Sequence, residues 1–334
     1  MSLRKEKMRR MSRKMRERAK RKRRKLILSF IIAAVVAAVS LTAYFIPFRT
    51  LLPAYSLEKR CDGELRLHFP DVGQGACSIV EFPSGDVLVI DAGDGSFSQT
   101  NKLVRYIKGL KPKSLGMLLT HADVDHYGGF EAFLEVFDAE TFYLPVFGSE
   151  SDDYISLLKR IKKKGCKTKV LKRYDVIADT SGAYLVALSP YSIDETNGND
   201  SSTVLYLQYG NVKALFCGDI SATRERQLVS EYALDETLFD SCGFEVRLRD
   251  LQILSVPHHG SASSSSSEWL GLIKPETAVI SCGAGNAYAH PSDKALARLK
   301  GAGAEIYRLD ELGDIVISVY SEQYTVKSRS GEVV

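Results

Sequence analysis

The chain has 334 residues, room for one large domain or two small ones, with 45 Lys/Arg, 41 Asp/Glu and a formal net charge of +4. That average hides a split: residues 1–25 carry 15 Lys/Arg and two Glu, net +13, whereas the rest carries 30 Lys/Arg and 39 Asp/Glu, net −9. The six cysteines include no C-x-x-C pair, which removes support for a zinc ribbon or a thioredoxin-type site and leaves them as small apolar residues.

After the basic arm comes LILSFIIAAVVAAVSLTAYFI, residues 26–46, which contains no charge. As a helix it would be roughly 31 Å long, the thickness of the hydrocarbon core. Lys/Arg on its N-terminal side places the arm in the cytoplasm and the body outside. A cleaved signal peptide is the competing reading, but its n-region would be unusually long and the A-x-A-like site near 38–40 is weak. The expectation is a retained single-pass anchor in the cell membrane, with an arm that sets topology and attracts anionic lipid. Residues 47–62 read as a linker and 63–334 as one extracytoplasmic domain.

Within that domain, strands are expected at 65–69 and 77–82, separated by the turn Asp71-Val72-Gly73-Gln74-Gly75. Further strands are expected at 86–91 and 115–120, with helices at 100–110, 130–137 and 152–164, the last with a basic face. The second half repeats the style. Strands are expected at 184–189, 202–209, 212–217, 251–256, 277–282 and 314–319, and helices at 223–232 and 293–300. The serine run 263–267 reads as a solvated loop. Two batches of strands with interspersed helices suggest two packed sheets with helices outside.

The strongest chemical signal is Thr120-His121-Ala122-Asp123-Val124-Asp125-His126-Tyr127-Gly128-Gly129. It places two imidazoles and two carboxylates at a strand end, in a loop that can curl so that all four converge. This donor set suits zinc, manganese or iron. A solvated acidic turn would explain the two aspartates but not the histidines framing them. Gly218-Asp219 and Pro257-His258-His259-Gly260 repeat the pattern at later strand ends. Four of the six histidines fall in these clusters and a fifth, His290, follows another strand.

These motifs together resemble the metallo-β-lactamase superfamily, and within it the branch typified by the hydrolase domain of ComEC-type competence proteins. The DVGQG turn, the H-x-D-x-D-H-x-G-G loop, an N-x-x-S start at 199–202, the G-D end, the P-H-H-G-S loop and a Y-x-H-P loop at 288–291 occur in order over about residues 63–320. The resemblance implies an α/β fold, a four-layer αββα sandwich preceded here by one transmembrane helix. It implies two divalent ions, zinc or manganese. His121 and Asp123 would hold one and Asp125 and His126 the other, with Asp219 bridging and His258 or His259 completing the set. We place His258 among the ligands, and His259 and His290 with Asp125 among the catalytic groups. Asp91 in LVIDAG reads either as a carboxylate near the site or as structural.

Two departures stand out: Ala76 where an acidic residue commonly follows DVGQG, and Ala289 where Gly usually precedes the last His. The sequence shows one apolar span rather than the multi-helix channel of competence proteins. The expected function is therefore an anchored phosphodiesterase or nuclease acting on single-stranded DNA. Helix 154–164 and its following lysines offer a basic patch within an otherwise acidic body. The alternatives are a cell-envelope phosphodiesterase, such as a teichoic-acid phosphorylcholine esterase, and a non-catalytic binding protein of envelope assembly. β-Lactam hydrolysis is disfavoured because position 123 is Asp.

Overall fold

The computed structural model describes residues 2–45, 47–190, 198–233, 238–239 and 245–328. The chain divides into two compact units, residues 1–51 and 52–334. The first contains helix α1 (Ser2–Phe45). Among the described residues no helix is long and apolar enough to cross a membrane. The expected anchor, 26–46, extends beyond them: Ile46 lies outside the described residues, as do the side chains of Ala38 and 41–45.

The second unit holds two sheets. One takes β1 (Leu65–Phe69), β2 (Ser78–Glu81), β3 (Val87–Ile90), β4 (Leu115–Leu118), β5 (Thr141–Leu144) and β6 (Lys167–Val170). The other takes β7 (Val176–Thr180), β8 (Ala183–Ala187), β9 (Leu205–Tyr209) and β10 (Val212–Phe216). A small hairpin, β11 (Leu238–Phe239) with β12 (Glu245–Val246), follows. The second sheet then adds β13 (Ile253–Ser255), β14 (Thr277–Ile280) and β15 (Glu305–Arg308), and the first is completed by β16 (Ile315–Val319) and β17 (Tyr324–Ser328). The strand orders are β17-β16-β1-β2-β3-β4-β5-β6 and β15-β14-β13-β10-β9-β8-β7.

Leu65, Leu67, Phe69, Leu88 and Leu118 face Leu185, Leu207, Phe216 and Ile253 across the gap between the sheets. The opposite face of the first sheet buries helices α2 (Phe97–Leu110), α4 (Phe130–Val136) and α5 (Asp152–Lys164). The single turn α3 (Val124–Tyr127) precedes α4. The second sheet's outer face buries α6 (Ala222–Tyr232), α7 (Ser267–Ile273) and α8 (Asp293–Gly301), and the turn α9 (Leu309–Leu312) follows β15. This is the αββα sandwich. Because β3 is covered on both faces, all four of its residues, VLVI, are buried and it reads as a continuous apolar run.

Strands β5, β6, β7, β11, β12, β15 and β17 escape the sequence reading. β6, Lys-Thr-Lys-Val, is fully exposed at a sheet edge and has no apolar alternation to betray it. The serine run is also not the expected solvated loop. Ser264 and Ser265 are buried, the backbone N–H groups of Ser265 and Ser266 donate to the Glu225 carboxylate at 2.5 and 2.8 Å, and Ser266 caps α7. Small residues were needed there because a buried carboxylate must receive backbone donors at close range.

Both sheets and all three apolar clusters lie within 52–334, so this unit carries what it needs to fold alone. Trp269, the chain's one tryptophan, is fully buried under the second sheet. Trp269→Ala is expected to lower the unfolding free energy of residues 52–334 by about 3–5 kcal/mol, read by urea denaturation followed by circular dichroism.

Candidate metal centre

Every loop of the site leaves the C-terminal end of a parallel strand. β3 and β4 run parallel, and so do β10, β13 and β14. Asp91 follows β3 and His121 follows β4. On the other sheet Asp219 follows β10, His258 and His259 follow β13, and His290 lies beyond β14. Parallel pairing sends all these loops to one edge of the sandwich, where ligands of open α/β sheets gather.

Asp91 organises the cluster. It is buried and left-handed, with φ of 59°, immediately after the strand. Its carboxylate accepts the Thr120 N–H and the Thr120 hydroxyl, each at 2.8 Å, and the His126 Nδ1–H at 2.8 Å. With its hydrogen committed to Asp91, Thr120 Oγ1 is left as an acceptor for His121 Nδ1 at 3.1 Å. His259 donates from Nδ1 to the Ser281 carbonyl at 2.8 Å. Each Nδ1 being a donor, each Nε2 is presented as a lone pair in the neutral ring.

The Nε2 atoms of His121, His126 and His259 are buried and make no hydrogen bond. Carboxylate oxygens approach them: Asp219 lies 3.2 Å from His126 and 3.4 Å from His259, and Asp125 lies 3.4 Å from His259. Ligand atoms of His121, His126 and Asp219 all lie within 4.8 Å of one another, and so do those of Asp125, His126 and His259. Metal-free, such nitrogens take up protons beside the carboxylates; neutral, they present the buried lone pairs that divalent cations require. The residues present fit such ions.

The local field points the same way. Burial alone would raise Asp219, but His259 and His126 hold it well below the usual carboxylate range. Burial likewise opposes charge on His126, yet Asp219 and Asp91 raise it well above its ordinary value. His259 is lifted to about 10 against its burial by Asp219 and Asp125, and Asp125 falls to about 2 beside His259 and His126 despite desolvation. The carboxylates thus favour positive charge at the centre of the cluster.

The structure brings His121, Asp125, His126, Asp219 and His259 together. Asp123 stands at the rim, its side chain 54% exposed and 3.7 Å from His121 Nε2. His258 lies outside both groups, half-buried, with Nε2 3.7 Å from Asp219. Of the pair that the motif left open, the cluster takes in His259 and not His258, which the sequence reading places among the ligands. Both histidines are left-handed in one tight turn, and only His259 is pinned by the Ser281 carbonyl. His290 is outside the groups too, its ring 5.7 Å from His258 and 6.4 Å from His259. Burial lowers both His258 and His290 from their ordinary values.

Several supports carry little signal in the sequence. Ser202 accepts the Asp219 N–H at 3.2 Å, which explains the serine of the 199–202 motif. Ala76, the departure after DVGQG, uses its backbone alone, donating to the Asp125 carbonyl at 3.1 Å and accepting from Gly93 at 2.9 Å. Gly75, at φ 130°, is needed beside it because a Cβ there would sit 2.5 Å from the same carbonyl. Ala289 keeps the left-handed φ of 53° that explains why Gly is usual at that position.

Residues 70–284 match the family model described as the metallo-beta-lactamase superfamily. This chain belongs to that superfamily. Its members are generally metal-dependent hydrolases that bind divalent metals such as zinc or iron. The chain is 29% identical over 279 residues to ComE operon protein 3 of Bacillus subtilis, covering 78% of this chain and 33% of that protein. It is 27% identical over 277 residues to competence protein ComA of Neisseria gonorrhoeae, covering 83% and 34% respectively. Recombination protein 2 of Haemophilus influenzae is 21% identical over 261 residues, covering 77% and 29%. The chain thus spans about a third of the length of the curated relatives it matches.

Asp91→Asn keeps the shape of the superfamily site while weakening the acceptor for His126 and Thr120. Metal affinity of residues 52–334 is expected to fall about 10–100-fold, with circular dichroism unchanged, as measured by competition with a chromophoric chelator.

Proposed function

We propose that this protein is a binuclear metal-dependent phosphodiesterase, held at the outer face of a membrane and acting on single-stranded DNA. The observation that carries the catalytic part is the convergence of three buried, unpartnered Nε2 atoms on the carboxylates of Asp125 and Asp219. His121, His126 and Asp219 would hold one ion, with Asp123 at the rim. Asp125 and His259 would hold the second, and His126 and Asp219 stand between the two groups. When bound, divalent ions supply an acidified water and positive charge for the reacting phosphoryl oxygens.

The chain's own residues do the rest. Asp91, through His126 and through Thr120 to His121, holds the imidazoles in the tautomer that can ligate. Asp125, 27% exposed, is the cluster carboxylate that reaches solvent, so it is placed to orient a water. His258 and His290, outside both groups, are left to move a proton at the leaving oxygen.

DNA is favoured by similarity to a competence protein and to a recombination protein and by the charge at one edge. β3 to β6 are parallel, so exposed β6 runs toward the edge that carries the cluster, bearing Lys167 and Lys169, with Lys172 just beyond. These lysines offer phosphate contacts within a body of net −9. The anchor is favoured by Leu26, Phe30, Ile31, Val35, Val36 and Val39, exposed around α1 and in need of an apolar cover.

With manganese or zinc, residues 52–334 are expected to bind about two ions and to hydrolyse bis-p-nitrophenyl phosphate and labelled single-stranded DNA. Asp219→Ala is expected to lower turnover by at least about 100-fold. A metal-free, inactive wild type refutes the catalytic reading, and activity confined to p-nitrophenyl phosphorylcholine moves it to an envelope phosphodiester. For the anchor, the full chain is expected to stay in the membrane pellet after alkaline carbonate, while a chain starting at residue 52 does not sediment with membranes.

A further inference from the structure

The loop after β14 carries an ordered stack of rings from the cluster to solvent. His290 is stacked on His259, with centroids 6.4 Å apart and planes 20° apart. Tyr288 continues the stack on His290 at 5.8 Å and 25°. Despite that contact Tyr288 remains 67% exposed. The ring is paired with His290 and most of the side chain meets solvent.

The loop is held in this shape by Asn286. Its Oδ1 accepts the Tyr288 N–H at 3.1 Å and the His290 N–H at 3.0 Å, and its Nδ2 donates to the carbonyls of Gly283 and His290 at 2.9 and 2.5 Å. The ring is therefore presented by a fixed backbone. Val124, 52% exposed, is a second large apolar side chain at the surface beside the cluster, between Asp123 and Asp125 in the chain.

We propose that Tyr288 is a stacking platform for a base of a single-stranded nucleic acid whose phosphodiester lies at the cluster. The proposal rests on the phosphodiesterase reading and names the feature of the substrate that would select it. A base presents the flat π-face that an exposed aromatic ring stacks against, and in a strand it is covalently tied to the phosphodiester the cluster would bind. A quaternary ammonium is better served by a cage of several rings. Stacking tolerates any base, so the platform confers preference for base-bearing strands without sequence preference.

The test uses residues 52–334, which removes the basic arm. Affinities for a fluorescein-labelled oligothymidylate and for an abasic strand of equal length and charge, both with a hydrolysis-resistant phosphorothioate backbone, are measured by anisotropy with manganese present. Wild type is expected to favour the base-bearing strand. Tyr288→Ala is expected to weaken that strand about 5- to 100-fold and leave the abasic strand unchanged, and Tyr288→Phe is expected to restore the preference. Metal content and circular dichroism of the variants are expected to match wild type because the side chain is mostly exposed.

Equal affinity for both strands, no binding of either, or a preference that survives Tyr288→Ala overturns the platform. So does a loss, on Tyr288→Ala, confined to p-nitrophenyl phosphorylcholine. Manganese-dependent turnover of bis-p-nitrophenyl phosphate is read separately. Turnover without a base preference sinks the platform and spares the hydrolase. A Tyr288-dependent base preference without turnover does the reverse.

Discussion

The site depends on one buried carboxylate. Asp91 receives a backbone N–H, a hydroxyl and an imidazole N–H. A buried carboxylate with fewer donors would be costly to ionise. Because its donors include His126 directly and His121 through Thr120, the same interaction that makes Asp91 tolerable aims two histidines. The left-handed backbone at Asp91 is a local cost of placing that carboxylate under the loop.

The second constraint is the approach of backbones. Five loops from two sheets share one edge, and little space separates them. Gly75 passes the Asp125 carbonyl, and at Gly129 a Cβ would lie 2.2 Å from the Ala92 carbonyl. The DVGQG turn and the paired glycines after His126 are thus steric requirements of the convergence. Local hydrogen bonds, such as Ala76 N–H to Asp125 and Ala92 N–H to the His126 carbonyl, then lock the loops together.

On the proposed function, charge and shape divide the work of recognition. The cluster concentrates carboxylates whose field favours cations, so an anionic substrate is attracted there only through the ions it holds. The body beyond residue 25 is acidic overall, and the lysines of the β6 edge are exposed. On the proposed function the exposed ring of Tyr288 would add an uncharged contact that salt does not screen.

By itself the sequence determined which residue types stand at strand ends, and hence the metal chemistry, because motif order and apolar runs are local properties. His121, Asp125, His126 and Asp219 were legible in this way, whereas Asp123, read as a ligand, stands at the rim; the sandwich was legible through the order of the motifs and their resemblance to the superfamily. Tertiary structure decided what depends on partners distant in the chain. It singled out His259 over its neighbour through the Ser281 carbonyl, and it made Asp91 the hub through Thr120 and His126. It also turned the serine run into a buried cap for Glu225 and recruited Lys-rich β6 as an edge strand. None of these could be seen locally, because each is fixed by a hydrogen bond or a pairing between segments that only folding brings together.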